Sequence, residues 1–323
     1  MTTNPTTVII AGVDGSPHSL AAVDWASREA AARQSRLRIV HAFLWPRMSI
    51  PMGRSARDLP AMGPPDAGLR QAAEEILDTA AGRARQATPA LDVSTDLPMC
   101  APAAALIDAS RDAALAVVGH RGLGGFTGLL VGSVGVQTAA HAACPVVVVR
   151  GSQDGDLDEP VPATGQVVVG VDGSDLSSLA VEFAFTHAAL HGLGVVAVHA
   201  YQWRIAGHYM EGLREDPAQL LTEAVAGHRE KHPDVPVQQK VVQGESAAVL
   251  VAESAGAALT VVGSRGRGGF AGLLLGSTSQ GVLHHASGPV AIVRAQAVRG
   301  GGSTRLRQGV SGAPKQPPGP SPS

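Results

Sequence analysis

Aromatic side chains make up only 3% of the 323 residues, so any core must be filled by Val, Leu, Ile and Ala. Basic residues are not in excess. Lys and Arg number 25 against 27 Asp and Glu, a net charge of −2. Binding to a nucleic-acid backbone needs clustered Lys and Arg, so this balance argues against nucleic acid as the main partner. Cysteine is limited to Cys100 and Cys144. They form no C-x-x-C pair, imply no disulfide framework, and are expected to be buried or half-buried free thiols. No run of about 18 apolar residues exists, so no membrane-spanning helix is expected. The opening MTTNPTTVIIAGVDGS lacks the basic and long apolar parts of a secretory signal. The expected location is the cytoplasm. H-E-x-x-H and G-x-S-x-G are also missing, and no catalytic residue can be assigned.

What the chain does contain is a duplication. VVGHRGLGGFTGLLVGSV at Val117–Val134 returns as VVGSRGRGGFAGLLLGST at Val261–Thr278, with 13 of 18 positions identical. Both copies read G-x2-G-x9-G-S, through Gly119, Gly122, Gly132, Ser133 and through Gly263, Gly266, Gly276, Ser277. VIIAGVDGS at Val8–Ser16 matches VVVGVDGS at Val167–Ser174, with Asp14 and Asp172 offset by 158 residues. ACPVVVVR at Ala143–Arg150 matches SGPVAIVR at Ser287–Arg294 at offset 144. The shorter offset reflects a longer Pro-, Met- and Gly-rich excursion at Trp45–Pro65 in the first repeat.

Each repeat alternates strand and helix. The first predicts strands at Val8–Val13, Arg36–Ala42, Val93–Leu97, Leu115–Gly119 and Val146–Arg150. Helices are expected after Ser16 and over Asp66–Gln86, Pro102–Asp112 and Ser133–Ala143. In the second of these, Leu69, Ala73, Ile76 and Ala80 would share the inner face. The second repeat predicts strands near Val167–Val171, Val195–Ala200, Val237–Val242, Leu259–Gly263 and Val290–Arg294. Alternation of this kind gives an α/β fold, a doubly wound parallel sheet in each of two tandem domains. The expected boundaries are 8–150 and 165–295. A loose N-terminus covers 1–7, an acidic linker 151–164, and a disordered Gly/Pro/Ser tail 296–323.

A long glycine-rich loop that follows a strand and opens a helix suits a phosphate. Backbone N–H groups can point inward, and the helix start favours negative charge. Neither loop has the Lys of a P-loop. Binding would rest on main-chain amides, the Ser133 and Ser277 hydroxyls and helix polarity. Asp14 and Asp172 read either as turn and cap residues or as carboxylates facing the ligand crevice, and the two roles are compatible. Arg121 and Arg265 are expected to be solvated. His41 and His199 are expected to be satisfied histidines near the sheet edge.

These residues resemble the universal stress protein family, in its ATP-binding branch and in tandem form. The resemblance covers about Val8–Arg150 and Val167–Arg294. It implies five-stranded sheets in the order 3-2-1-4-5, ATP binding with Mg²⁺, and a role in stress or growth control. It places Gly12, Asp14, Val40, Gly119, Gly122, Gly132, Ser133 and Val134 around one nucleotide. Around a second it places Gly170, Asp172, Val198, Gly263, Gly266, Gly276, Ser277 and Thr278. Asp14 and Asp172 would hold the metal. The last strands, Val146–Val149 and Val290–Val293, would pair inside one chain, giving an intrachain pseudo-dimer that could dimerise further. Gly244 follows the third strand of the second half, as the family pattern has it, whereas the first half has Cys100 there. Three functions are open at this level. They are an ATP-dependent regulator acting on an unknown protein partner, a slow Mg²⁺-dependent ATPase or phosphotransferase, and a nucleotide-free scaffold.

Overall fold

A computed structural model describes residues 7–43, 66–123, 131–150, 165–202, 216–267 and 274–295. The expected excursion, linker, tail and loose N-terminus lie outside the described residues. The first repeat runs β1 (Val8–Gly12), α1 (Pro17–Ala32), β2 (Arg36–Val40), α2 (Asp66–Ala87), β3 (Val93–Asp96), α3 (Pro102–Ala109), β4 (Leu115–Gly119), α4 (Ser133–His141) and β5 (Val146–Val149). The second runs β6 (Gln166–Gly170), α5 (Asp175–His191), β7 (Gly194–Tyr201), α6 (Pro217–Lys231), β8 (Val237–Gln243), α7 (Ser246–Glu253), β9 (Leu259–Gly263), α8 (Ser277–His285) and β10 (Val290–Val293).

All ten strands form one sheet, ordered β3-β2-β1-β4-β5-β10-β9-β6-β7-β8. Each half is parallel with order 3-2-1-4-5. The halves meet at β5 and β10, which pair antiparallel with Val147 opposite Ala291. Those two residues are equivalent in the repeats, so the pseudo-twofold axis passes through this seam. Pairing removes two apolar edges that would otherwise be open to aggregation. Arginines fasten the seam reciprocally. Arg150 Nη2 donates to the Leu283 and His284 carbonyls at the end of α8, at 2.5 and 2.8 Å. Arg294 Nη1 donates to the Ala139 carbonyl of α4 at 3.2 Å. A cation at a helix C-terminus satisfies orphan carbonyls and complements the dipole.

Two helix layers cover the sheet. Val23, Leu77, Phe185 and Leu221 carry α1, α2, α5 and α6 onto one face. Leu106, Ala139, Leu250 and Leu283 carry α3, α4, α7 and α8 onto the other. Both cores run across the seam. As the composition requires, they are aliphatic, and Phe185 is the one aromatic among the largest fully buried side chains. Cys144 is buried and Cys100 half-buried, both free. Burial pushes the Cys144 thiol up to about 12.

Local chemistry sets the ends of the elements. Pro17 opens α1, and Ser16 Oγ accepts from Ser19 N at 3.2 Å. Ser174 caps α5 in the same way. The expected helix Pro102–Asp112 ends at Ala109 and tightens into a 3₁₀ turn over Ser110–Asp112. Ser110 Oγ donates to the Ile107 carbonyl and accepts from Ala143 N, which draws the turn in. Helix α4 correspondingly stops at His141 rather than Ala143. On α2 the buried stripe is Ala73, Leu77, Ala80, Ala81 and Ala84, whereas Leu69 is 48% exposed. Of the expected face Ala73 and Ala80 are buried and Ile76 packs partly buried against the core, whereas Leu69 is exposed and Leu77 is the large buried residue.

Candidate functional site

Gly12, Val40 and Gly119 are the last residues of β1, β2 and β4. They meet where the strand order turns back, at the carboxyl edge of the sheet, the usual place for a ligand in this architecture. A cavity of about 490 Å³ opens there. A second, of about 470 Å³, lies at the same place in the other half. Both fall within the few-hundred-Å³ range of small-molecule sites.

The V-D-G-S turn shapes each cavity floor. Gly15 and Gly173 take φ of 85° and 74°, the left-handed region open to glycine. That turn brings the preceding carboxylate back toward the glycine loop. Asp14 Oδ1 accepts from Ser16 N at 3.0 Å, and its Oδ2 accepts from Leu123 N at 2.8 Å. Asp172 repeats this with Ser174 N and Arg267 N, both at 3.0 Å, and takes the Ser174 hydroxyl at 2.6 Å. Burial opposes the charge on each carboxylate, but the hydrogen bonds outweigh it and hold both below the usual carboxylate range. A Cβ at Gly122 would collide with Asp14 Oδ2, and one at Gly266 with Asp172 Oδ2. A methyl at the second glycine of the motif would thus displace the aspartate that clasps the loop.

The helix after the loop begins without a side-chain cap. Gly132 and Gly276 are the N-caps of α4 and α8, and neither start has a side-chain hydrogen bond. This contrasts with the Ser-capped α1 and α5. The first turn of each, Ser133-Val134-Gly135 and Ser277-Thr278-Ser279, lines its cavity. Uncapped first-turn N–H groups facing a cavity are a ready anion site.

The structure brings the sequence-derived residues together with few exceptions. Gly12, Asp14, Val40, Gly119, Gly122, Ser133 and Val134 line the first cavity. Gly170, Asp172, Val198, Gly263, Gly266, Gly276, Ser277 and Thr278 line the second. Gly132 is not on the lining. Its N–H donates to the His120 carbonyl at 2.7 Å, as Gly276 N does to Ser264 at 2.8 Å. These amides close the loop rather than stand free. The Val40 and Val198 carbonyls already accept from Val13 N and Val171 N, each at 2.9 Å. At Gly12 and Gly170 an added Cβ would press on the Leu106 and Leu250 side-chain ends, each at 2.8 Å, and would push those side chains aside.

Arg121 and Arg265 are exposed, as expected, and yet reach the cavity walls. His41 and His199 are satisfied, their Nδ1 atoms bonded to the Val13 and Val171 carbonyls at 2.8 and 2.7 Å. Sequence reasoning missed Leu106 and Leu250, which form an apolar wall. It also missed Pro102, whose counterpart is Ser246, and Arg267, whose counterpart is Leu123. The 144-residue offset aligns each of these pairs and was the available signal. The second cavity is the more polar, with Ser246, Thr278 and Ser279 where the first has Pro102, Val134 and Gly135, and with Arg267 on its lining besides.

Comparison with known proteins agrees with this architecture. A family model described as "Universal stress protein family" matches residues 6–150 and 164–294. Universal stress protein Rv2005c of Mycobacterium tuberculosis is 36% identical over 298 residues, covering 88% of this chain and 96% of the relative. Universal stress protein Rv2623 of the same organism is 37% identical over 299 residues, with the same coverages. The crystal structure of a universal stress protein from Archaeoglobus fulgidus superposes with a TM-score of 0.62 at 19% identity. It covers 90% of this chain and 97% of that one, a likeness of fold. With both halves matched and relatives similar along nearly their full length, the chain belongs to the universal stress protein family.

Proposed function

We propose that the chain binds ATP at two sites and acts as a regulator, with occupancy changing the surface it offers a protein partner. The observation that carries this reading is the repeated construction of the two cavities: an aspartate-clasped glycine loop leading into an uncapped helix start. The first-turn amides of α4 and α8, with the Ser133 and Ser277 hydroxyls, would hold the phosphates. Leu106 and Leu250, with Val40 and Val198, offer apolar wall to a base. Mg²⁺ would use lone pairs that remain on Asp14 and Asp172 and would neutralise phosphate charge.

The chemistry of the walls favours binding over turnover. The titratable groups on the first lining are Asp14 and Arg121, and on the second Asp172, Arg265 and Arg267. Each aspartate is held below the carboxylate range by N–H donors, which makes it a weak proton acceptor. Calorimetry with ATP and Mg²⁺ tests the reading. Wild-type protein should bind two equivalents per chain. Gly122→Ala with Gly266→Ala should weaken binding by about tenfold or more, since each methyl displaces the clasping carboxylate. Equal binding by both proteins, or none by wild type, would overturn the proposal. Phosphate release in single-turnover assays of wild type would instead favour the ATPase.

A further inference from the structure

Away from both cavities, helices α1 and α5 meet beside the pseudo-twofold axis. Glu29 of α1 is 1% exposed. Its Oε2 lies 2.7 Å from His191 Nε2 and 3.1 Å from His187 Nδ1. Its Oε1 accepts from Arg33 Nε at 2.6 Å. His187 is buried and stacks on Trp25 with ring centroids 5.8 Å apart. Arg33 lies over the Phe183 ring at 5.3 Å. Glu29 and His187 are 158 residues apart, the offset of the duplication. Arg33 with His191 and Trp25 with Phe183 are repeat equivalents by the same count. One half thus supplies the carboxylate at a position where the other supplies an imidazole.

We propose that Glu29, His187 and His191 bind a divalent transition-metal ion of the zinc class between the two halves of the chain. Histidines four apart lie on one face of a helix, so α5 directs two ring nitrogens at one point. The carboxylate of α1 closes the set from the opposite side. One ligand atom from each of the three residues falls within a mutual 4.8 Å. Tetrahedral zinc with arms near 2.0 Å sets its ligand atoms about 3.3 Å apart. The present 2.7 and 3.1 Å contacts would open by about 0.6 and 0.2 Å, and the two ring nitrogens, within 4.8 Å of each other, would take up the same spacing. Imidazole with carboxylate suits zinc, cobalt, nickel or copper rather than magnesium or calcium.

The surroundings fit such an ion. Burial keeps His187 below the usual histidine range, which favours the neutral, ligating form, although Glu29 pulls the other way. Arg33 binds Glu29 Oε1, an oxygen that His187 Nδ1 also approaches at 3.3 Å, and so orients the carboxylate. Its Nη2 is buried with no hydrogen-bond partner among the described residues, a donor for a water or hydroxide in the fourth position. His191, at the helix end, is 26% exposed and gives solvent and metal a way in.

The test uses the full chain, stripped with chelator and without nucleotide, titrated with Co²⁺ and then Zn²⁺. One Co²⁺ per chain should bind with the intense visible bands of four-coordinate cobalt, and Zn²⁺ should displace it. His191→Ala should weaken Co²⁺ binding by about tenfold or more and bleach those bands. His191 is 26% exposed at the helix end, and circular dichroism checks that the variant stays folded. Glu29→Gln should act in the same direction. Absence of Co²⁺ binding by wild type at about 100 μM, far above the affinities of zinc sites, would overturn the proposal. So would His191→Ala binding with unchanged affinity and spectrum.

Discussion

Asp14 shows how one side chain can serve both turn and site. Its two oxygens take N–H groups from residues more than a hundred positions apart, Ser16 and Leu123. Asp14→Asn keeps one acceptor oxygen and replaces the other by a donor that faces the Leu123 N–H. Hydrogen bonds to a charged group of this kind, one part-buried and one exposed here, are worth roughly 1–2 kcal/mol. The expected result is a destabilisation of that size in urea melts, together with weaker ATP binding at the first site alone. His120 gives a pH dependence with a definite sign. Burial, then His18 and Arg150, push it down to about 4. The unfolded chain therefore takes up this proton first as pH falls through about 6.5, the ordinary histidine value. Its contribution to stability is complete above that value and is lost toward pH 4. His18, His187 and His284 are lowered too and act in the same direction. Urea midpoints should fall between pH 7 and pH 5, and His120→Gln should lessen the fall. An unchanged pH slope in that variant would remove His120 from the account.

At the scale of elements, α2 separates what the sequence disclosed from what it withheld. Its alanine-rich period marked a helix with one inner face, but many small residues leave the phase of that face loosely defined. The pattern places Leu69 on that face and passes over Leu77, and only packing against α1 and the sheet picks Leu77. Leu77→Ala should cost about 2–5 kcal/mol, whereas Leu69→Ala should stay within about 0.5 kcal/mol. Reversal of that order in denaturant melts would mean the helix is rotated. Strands were legible because β-branched runs buried on both sides admit few other readings. The glycine loops were legible because they are written twice. The Leu106 and Leu250 walls were not, since an apolar residue on a short helix looks the same whether it faces a core or a cavity. The clasp of Asp14 on Leu123 was also hidden, because no local pattern joins residues 109 apart.

Over the whole molecule, duplication has let two equivalent surfaces become complementary. In a dimer built from two copies of the first half, Glu29 would face Glu29 of the partner subunit. Each would keep its own Arg33 but lose His187 and His191, and two buried carboxylates that close still oppose each other's ionisation. In a dimer of the second half, His187 would meet a second His187 with no carboxylate to accept from it. The tandem chain sets one against the other, and like-charge or unpaired encounters then act as discrimination between partners. The β5 and β10 edges by themselves discriminate little, since both are four-residue aliphatic strands with Val147 and Ala291 at the centre. Segments 1–150 and 164–295, produced separately and mixed, should therefore associate as a one-to-one heterodimer in preference to either homodimer. Native mass spectrometry of the mixture reads the three species directly. Glu29→Gln in the first segment removes the charge conflict from its homodimer and should raise the homodimer fraction at neutral pH. A statistical distribution of the three species, unmoved by that substitution, would show that the strand edges alone decide the pairing.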